Sequence, residues 1–304
     1  MPITASDKIW MDGELVPWAD AKIHVLTHSL HYGSGVFEGI RAYATKKGTA
    51  VFRLTDHIRR MYNSAKIYTI EIPYAPETLI DACKETVRVN GLPECYVRPL
   101  VFLGYGEMGV NPLPCPVSVA VAVWPWGAYL GEEGLRHGVR MKISSWRRHD
   151  PNIIPPSAKG TGQYINAQLA KVEAIKAGYD EAIMLNPQGY VSEASGENIF
   201  IVREGDLITP PQSAGALIGI TRDSIMRIAR DLGIGVYEAD LQRTDLYTAD
   251  EVFVCGTAAE VTPVREIDDR AIGEPGPLTK KIQEVFQAAV HGEVDRYADW
   301  LEHV

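Results

Sequence analysis

PPSAKGTGQY, from Pro155 to Tyr164, places one lysine among small residues. Two prolines stiffen the approach to it, because each proline fixes its own φ. The small residues around Lys159 leave the backbone open to a large planar group. Lys159 is therefore a candidate covalent catalyst.

An uncharged lysine amine condenses with an aldehyde to form a Schiff base, and it can then carry a proton. Lysine suits this chemistry because desolvation or a nearby cation lowers its pKa toward neutrality. The alternative is an ordinary surface charge, as most lysines are. The neighbouring motifs distinguish a catalytic lysine from a surface lysine.

Length and composition limit the function classes. The chain has 304 residues, of which 46% are apolar and 23% charged, which predicts a globular protein of two domains. Its net charge of −9 disfavours a nucleic-acid partner. Residues 1–8 lack an apolar signal-peptide core, and the most apolar stretch, Val117–Leu130, is too short to span a membrane. We expect a cytoplasmic protein.

The four cysteines do not form a CxxC pair. Cys83, Cys95 and Cys255 lie in apolar segments, which predicts buried, reduced thiols. No metal site is predicted.

The pattern of apolar and turn residues predicts alternating strands and helices. Asp12-Gly13 predicts a hairpin within Ile9–Val16. Thr55 is a candidate N-cap for a helix to about Tyr68, and a second helix is predicted from Pro76 to Gly91. The other predicted elements are strands Val51–Leu54, Tyr96–Phe102, Val117–Trp124 and Val139–Ser144, and helices from Gln163, after Gly219 and over Pro277–Val290.

The sequence leaves the roles of two arginines open. Arg59 falls in the first turns of a helix, where it is either solvated or reaches an anion with its planar fork. Arg98 interrupts an apolar strand, so it needs either a structural carboxylate or a substrate carboxylate.

Gly104–Gly109 matches the pattern GxGxxG. A dinucleotide-binding turn must open a helix, but Pro112 and Pro114 follow and forbid one. We therefore interpret the segment as a loop and reject NAD. The segment His28–Arg41, in which glycines alternate with aromatic residues, is either a buried bend or a ligand site.

Two carboxylates, Glu193 and Glu197, lie among small residues in a strand-like segment. Paired acids occur in glycosidases, but such enzymes need no lysine nearby. An acid that keeps a pyridine nitrogen protonated fits the lysine better. The turn before Ile220-Thr221 opens a helix, whose N-terminus favours phosphate, and the turn Gly256–Glu260 offers a hydroxyl and N–H groups to an anion.

Taken together, these motifs resemble the fold-type IV pyridoxal phosphate enzymes. The motifs, in chain order, are HYGSGVFEGIR, YVRPL, PWGAYLG, the Lys159 loop, SEASGENIF, GIT and GTAAE. Within that group the chain is similar to the bacterial branched-chain-amino-acid aminotransferases of class IV, over nearly its whole length.

The resemblance implies a mixed α/β (α+β) fold with pyridoxal 5′-phosphate at the interface of two domains. The small N-terminal domain would cover 1–125, a linker 126–134, and the larger C-terminal pseudo-barrel domain 135–304. Lys159 would form the Schiff base and move the proton. Its partners at the cofactor would be Tyr164 at the phenolic oxygen, Glu193 at the pyridine nitrogen, Leu217 on the ring face, and Arg59, Ile220, Thr221 and Thr257 at the phosphate.

For the substrate, the resemblance implies an aliphatic pocket walled by aromatic residues and closed by a neighbouring subunit. Tyr96, Ala258 and Ala259 would meet the α-carboxylate, and Arg98 the distal carboxylate of glutamate. The pocket walls would be Tyr32, Phe37, Trp126 and Tyr129. A loop with Met108 and Val110 would come from the neighbouring subunit, which implies at least a homodimer.

The expected reaction is transamination between leucine, isoleucine or valine and 2-oxoglutarate, the last step of branched-chain amino acid biosynthesis. The alternatives on the same fold are a D-amino-acid aminotransferase and an aminodeoxychorismate lyase. The sequence does not rank leucine, isoleucine and valine, since one methylene contributes only about 1–3 kcal/mol in an apolar pocket.

Overall fold

The computed structural model describes residues 3–127 and 129–304. The chain divides into two compact units. The first combines the described residues up to Trp126 with Ala158–Gln163 and Ala289–Val304, and the second combines those of Gly127–Ser157 with Tyr164–Ala288. The domain limits 1–125, 126–134 and 135–304 stay a prediction, and the predicted linker includes Ala128, which lies outside the described residues.

Strands and helices alternate through the described residues, which confirms the mixed α/β class. The strands are β1 Lys8–Met11, β2 Glu14–Pro17, β3 Gly35–Phe37, β4 Ile40–Thr45, β5 Gly48–Phe52, β6 Cys95–Leu103, β7 Val117–Trp124, β8 Val139–Ile143, β9 Glu181–Leu185, β10 Val191–Ala194, β11 Asn198–Arg203, β12 Asp206–Thr209, β13 Val236–Glu238, β14 Glu251–Gly256, β15 Glu260–Ile267, β16 Arg270–Ala271 and β17 Leu301–His303. The helices are α1 His28–Tyr32, α2 Leu54–Ile67, α3 Pro76–Val89, α4 Glu132–His137, α5 Tyr164–Lys176, α6 Ile220–Asp231, α7 Arg243–Tyr247 and α8 Pro277–Val290, with 3-10 turns at Trp18–Asp20, Gln212–Ala214 and Asp295–Trp300.

The first unit is built on an antiparallel sheet. Its strand order is β17-β5-β4-β6-β7-β1-β2, and β3 pairs with β6. The predicted hairpin is confirmed, because Asp12 and Gly13 both have positive φ between β1 and β2. Side chains of α2 and α3 pack on the sheet in one apolar core that includes Ile58, Met61 and Leu79.

Helix α2 begins two residues earlier than the N-cap assignment of Thr55 predicts, so that assignment is wrong. The cap position is Arg53, whose φ is +49°. Thr55 lies in the first turn, and its N–H donates to Glu302 Oε1 at 2.7 Å. A carboxylate from far along the chain therefore satisfies one of the free N–H groups at the start of α2.

The second unit is built on a mixed sheet in the order β10-β9-β8-β15-β14-β11-β12-β13, with β16 beside β15. Its central strands bury an apolar core that includes Met141, Ile199 and Val254. In α5 the buried side consists of Ala167, Ala170 and Ala174. The larger apolar residues of this helix, Ile165, Leu169 and Val172, are exposed.

All four cysteines are buried and free, as predicted. The segment Gly104–Gly109 contains no helix, which agrees with its interpretation as a loop. Over the described residues, no helix is both long and apolar enough to cross a lipid bilayer.

Candidate active site

The segment that carries Lys159 lies beside β3 like an added strand. The N–H of Phe37 donates to the carbonyl of Lys159 at 3.1 Å, and the N–H of Thr161 donates to the carbonyl of Gly35 at 2.9 Å. Between them, Val36 and Gly160 form an antiparallel bridge. The lysine backbone is therefore fixed by sheet-like hydrogen bonds within the first unit.

Helix α2 holds the other side of the same segment. The hydroxyl of Ser64 accepts the N–H of Lys159 at 2.9 Å. The Tyr68 ring occupies the space that a Cβ at position 160 would need, and Gly162 lies equally close to Gly33. These glycines therefore allow the segment to pack against its own unit.

Several predicted substrate and catalytic residues meet around one ring. Lys159 Nζ lies 5.1 Å from the centroid of the Phe37 ring, and Arg98 Cζ lies 4.7 Å from the same centroid. Arg98 also lies 5.3 Å from the Tyr96 ring, which is 4.7 Å from the ring of Trp126. The first unit thus assembles Lys159, Phe37, Tyr96, Arg98 and Trp126 in one cluster.

Arg98 is well placed to bind an anion. Its guanidinium lies over aromatic rings, which also include Trp124 at 5.7 Å. Within residues 3–127 and 129–304, its buried Nε has no hydrogen-bond partner. A half-buried guanidinium that lies over aromatic rings and has an unused donor fits a ligand carboxylate better than a structural one.

A buried charged network that sequence analysis missed lies next to Lys159. Glu38 is fully buried and accepts from Arg60 Nε and Nη2, both at 2.7 Å, and pairs with His57 Nδ1 at 2.8 Å. Burial would raise the pKa of Glu38, but the attraction of Arg60 outweighs it and holds that pKa far below its usual range. Burial lowers the pKa of His57, so we take this histidine as neutral.

Four other predicted site residues lie on the surface of the first unit. The ring of Tyr32 lies 4.5 Å from that of His28. Met108 and Val110 lie in the loop after β6 and are 46% and 90% exposed. Arg59 lies on the exposed side of α2, and its Nη1 pairs with Asp56 Oδ1 at 3.0 Å.

In the second unit, Glu193 is the centre of a polar group. Its carboxylate pairs with Arg148 Nη2 at 2.8 Å and accepts the N–H of Leu217 at 3.0 Å. Both side chains of the ion pair are buried. The arrangement fixes the Glu193 carboxylate beside the predicted ring-contact residue Leu217.

Asn198 joins this group to the start of α6. Its Nδ2 donates to the carbonyl of Leu217 at 3.0 Å, and its side chain fills the space beside Gly219. Gly219 is the N-cap of α6 and provides no side-chain cap, so Ile220 and Thr221 begin a helix whose first N–H groups suit an anion.

The turn Gly256–Glu260 joins β14 to β15, as predicted. Its Gly256 lies against the carbonyl of Gly196, because Asn198 and Cys255 are partners across β11 and β14. Thr257 and Ala258 are half-buried and Ala259 is buried. Tyr164 is the first residue of α5, and the Tyr129 ring lies 5.5 Å from Lys171 Nζ.

The second acid of the motif, Glu197, differs from Glu193 in its surroundings. Burial and the nearby Glu181 raise the pKa of Glu197 to about 8. Glu181 is held by Lys171 Nζ and by the hydroxyl of Ser195, both at 2.6 Å. The two acids therefore differ in their surroundings. Glu193 has an arginine partner, whereas Glu197 is buried near another acid and stays protonated at neutral pH.

Comparison with known proteins gives consistent results. The family described as Amino-transferase class IV matches residues 35–267. The branched-chain-amino-acid aminotransferase of Escherichia coli K12 is 48% identical over 100% of this chain and 99% of its own length. That of Pseudomonas aeruginosa PAO1 is 49% identical over 96% and 95%.

Solved structures agree with these sequence matches. The Escherichia coli branched-chain amino acid aminotransferase superposes with a TM-score of 0.96 at 48% identity, over 98% of this chain and 99% of its own. A second branched-chain amino acid aminotransferase, from T.th. and solved with pyridoxamine 5′-phosphate, gives 0.95 at 53% identity, over 98% and 99%.

Proposed function

Because the chain belongs to the class IV amino-transferase family, we infer that it is a pyridoxal-phosphate-dependent branched-chain-amino-acid aminotransferase. It transfers the amino group between leucine, isoleucine or valine and 2-oxoglutarate. The observation that carries this function is the identity of nearly half of all residues with a branched-chain-amino-acid aminotransferase over the full chain.

The residues of each unit fit pyridoxal 5′-phosphate. The first unit supplies a lysine amine beside an aromatic ring. The second supplies a carboxylate fixed by Arg148 for the pyridine nitrogen and an uncapped helix start for the phosphate. When bound, the cofactor supplies an aldehyde for the amine and a ring that withdraws electrons from the substrate Cα.

We assign the cofactor contacts on this basis. Lys159 Nζ would hold the aldehyde carbon at rest and, once displaced from that carbon by the substrate amine, would carry the proton of the substrate Cα. Glu193 would hold the protonated ring nitrogen, and Leu217 would lie against the ring. The remaining contacts are Tyr164 at the phenolic oxygen and Arg59, Ile220, Thr221 and Thr257 at the phosphate.

The cluster around Phe37 accounts for the two kinds of substrate. Its rings offer apolar contacts to the side chain of leucine, isoleucine or valine, and Arg98 offers a charged partner to the distal carboxylate of glutamate. Tyr96, Ala258 and Ala259 receive the α-carboxylate. The proposed pocket walls are Tyr32, Phe37, Trp126 and Tyr129.

A homodimer completes this proposal. Residues 23–32 and 104–113 contact each other through His28, whose N–H donates to the carbonyl of Gly104 at 3.1 Å. Together they expose the apolar side chains of Ile23, Val25, Leu26, Leu30, Tyr32, Tyr105, Met108, Val110 and Leu113. A surface of this kind marks an interface, and we propose that it places Met108 and Val110 at the neighbouring subunit's site.

The dimer proposal has a direct test. Val110→Asp is expected to lower the mass measured by analytical ultracentrifugation, because a charge would have to be desolvated in the interface. Val89→Asp, at an exposed position in the last turn of α3, is the control. An unchanged mass for Val110→Asp would contradict the dimer surface proposed here.

We further propose a cytoplasmic location, since the amino acids and 2-oxo acids of biosynthesis are cytoplasmic metabolites.

The function is tested by the absorbance of the purified protein. The yellow band of the lysine-bound cofactor is expected to disappear on addition of L-leucine and to return with 2-oxoglutarate. Lys159→Ala should lack the response, whereas Lys176→Ala, an exposed lysine in the last turn of α5, should retain it. A faster response to D-alanine, or lyase activity on aminodeoxychorismate, would assign the chain to one of the other activities of this fold.

A further inference from the structure

Five residues of the first unit form a closed ring of contacts that begins and ends at Lys159. The Lys159 N–H donates to Ser64 Oγ, and that hydroxyl donates to the carbonyl of Arg60 at 2.9 Å. Arg60 binds the carboxylate of Glu38. Glu38 follows Phe37 in the chain, and the N–H of Phe37 donates to the carbonyl of Lys159, which completes the ring of contacts.

Glu38 is the residue that closes this ring. Ser64 and Phe37 hold Lys159 from opposite sides, but one lies in α2 and the other at the end of β3. A polar link between α2 and this strand end runs through the Glu38 carboxylate, which binds both Arg60 and His57 one and two turns before Ser64. Apolar packing of Val36 against Ile58 and Met61 also joins β3 to α2, but it is not directional, so loss of the carboxylate would loosen the alignment of the helix with the strand end.

We propose that Glu38 is a positioning residue that fixes the backbone of Lys159 by tying α2 to the end of β3. This inference rests on the proposed function only in that Lys159 is the reacting residue. Glu38 itself does not touch substrate or cofactor in this proposal. It acts through Arg60, Ser64 and Phe37.

The burial of the network explains why a carboxylate is required. Glu38 is 0% exposed, and its two oxygens accept three charge-assisted or polar hydrogen bonds. Glutamine has the same size but offers only one acceptor oxygen, and its NH₂ group would face the guanidinium of Arg60. Glu38→Gln therefore removes the charge and at least one of the three hydrogen bonds while leaving the volume of the core unchanged.

Amide hydrogen exchange of the full-length, cofactor-loaded protein measures the proposed tie directly. In Glu38→Gln and Arg60→Met, a peptide covering residues 155–163 should exchange at least about tenfold faster, because its holding partners become mobile. Peptides from β11 and β14 should be unchanged. Ser64→Ala, which removes the acceptor of the Lys159 N–H, should reproduce the local effect. Glu85→Gln should not, since Glu85 is a half-buried acid of α3 that pairs with Arg88 of the same helix.

Kinetics provide a second readout. A displaced lysine should lower kcat for L-leucine by roughly ten- to a hundredfold, while KM should change less than about threefold. If Glu38→Gln does not fold, the same measurements on Arg60→Lys test the positioning role of Glu38. Lysine keeps the charge but loses the two-pronged contact with the carboxylate.

Two results would overturn the proposal. One is an unchanged exchange rate at 155–163 in a folded variant, and the other is faster exchange spread evenly over all peptides, which indicates general destabilisation. Neither depends on the proposed function, since a failure of that function would appear in the wild type as a missing response to leucine.

Discussion

Arg98 lies with its guanidinium carbon 4.7 Å from the centre of the Phe37 ring, and the amine of Lys159 lies 5.1 Å from that centre. One aromatic side chain therefore contacts both the lysine proposed to react and the charge proposed to recognise glutamate. In this proposal the group that distinguishes an acidic from an aliphatic substrate side chain lies directly beside the amine that reacts.

The first prediction separates the two substrates. Arg98→Met should weaken the half-reaction with glutamate by about 2–5 kcal/mol, because a desolvated carboxylate loses its partner. The half-reaction with leucine should change much less, since methionine keeps an apolar surface. Single-turnover kinetics with each amino acid measure this, with Arg88→Met, a surface arginine of α3, as the control. Equal losses for both substrates would remove Arg98 from specificity.

The second prediction compares two adjacent arginines. Arg148 is buried with Glu193, whereas Arg147 is exposed and donates to the carbonyl of Pro187. Arg148→Met should lower the free energy of unfolding by about 3–5 kcal/mol, because Glu193 is left buried without its cation. Arg147→Met should change it by less than about 1 kcal/mol. Urea unfolding of both variants tests this, and similar losses would show that the ion pair is not the cause.

The third prediction concerns pH. The pKa of Glu197 is raised to about 8 by burial and by Glu181, so the folded protein keeps a proton that the unfolded chain releases near pH 4.5. Stability from this group is complete below pH 4.5 and is lost as pH rises toward 8. Glu197→Gln should therefore match the wild type near pH 4.5 and become progressively more stable than it up to pH 8. A difference that does not vary between these pH values would contradict the raised pKa.

The fourth prediction uses the contact between Gly160 and Tyr68. A methyl group at position 160 would overlap the Tyr68 ring, so Gly160→Ala should lower the free energy of unfolding by about 1–3 kcal/mol and reduce activity by displacing Lys159. Gly160→Ala combined with Tyr68→Leu should recover part of both losses, because the smaller side chain makes room. Thermal unfolding and leucine turnover measure the two effects. No recovery in the double variant would mean that Tyr68 is not the obstacle.

Local patterns predicted the elements that local forces decide. The turn at Asp12-Gly13 needs positive φ at both residues, so its sequence alone indicates the hairpin. Pro112 and Pro114 exclude a helix whatever the tertiary structure. In α3, the helical spacing of Leu79, Ile80, Cys83 and Val87 also predicts one apolar side; Ile80 is half-buried and the other three are buried.

Contacts between residues far apart in the chain could not be predicted from the sequence. Lys159 lies in a segment that reads as a loop, yet it pairs with β3, more than 120 positions earlier. Glu38 and Arg60 look like ordinary charges until their burial is known. Arg147 and Arg148 are neighbours in the chain, and only the fold shows that one of them holds Glu193. The exposed apolar side of α5 has the periodicity expected of a buried one.

The pairing of β17 with β5 has a consequence for synthesis on the ribosome. The sheet of the first unit contains strands from opposite ends of the described chain, so a growing polypeptide must reach His303 before this sheet can contain all its strands. The segment that carries Lys159 joins the same unit from the middle of the chain. Translation of the first half alone therefore yields neither a complete sheet nor the segment that carries Lys159.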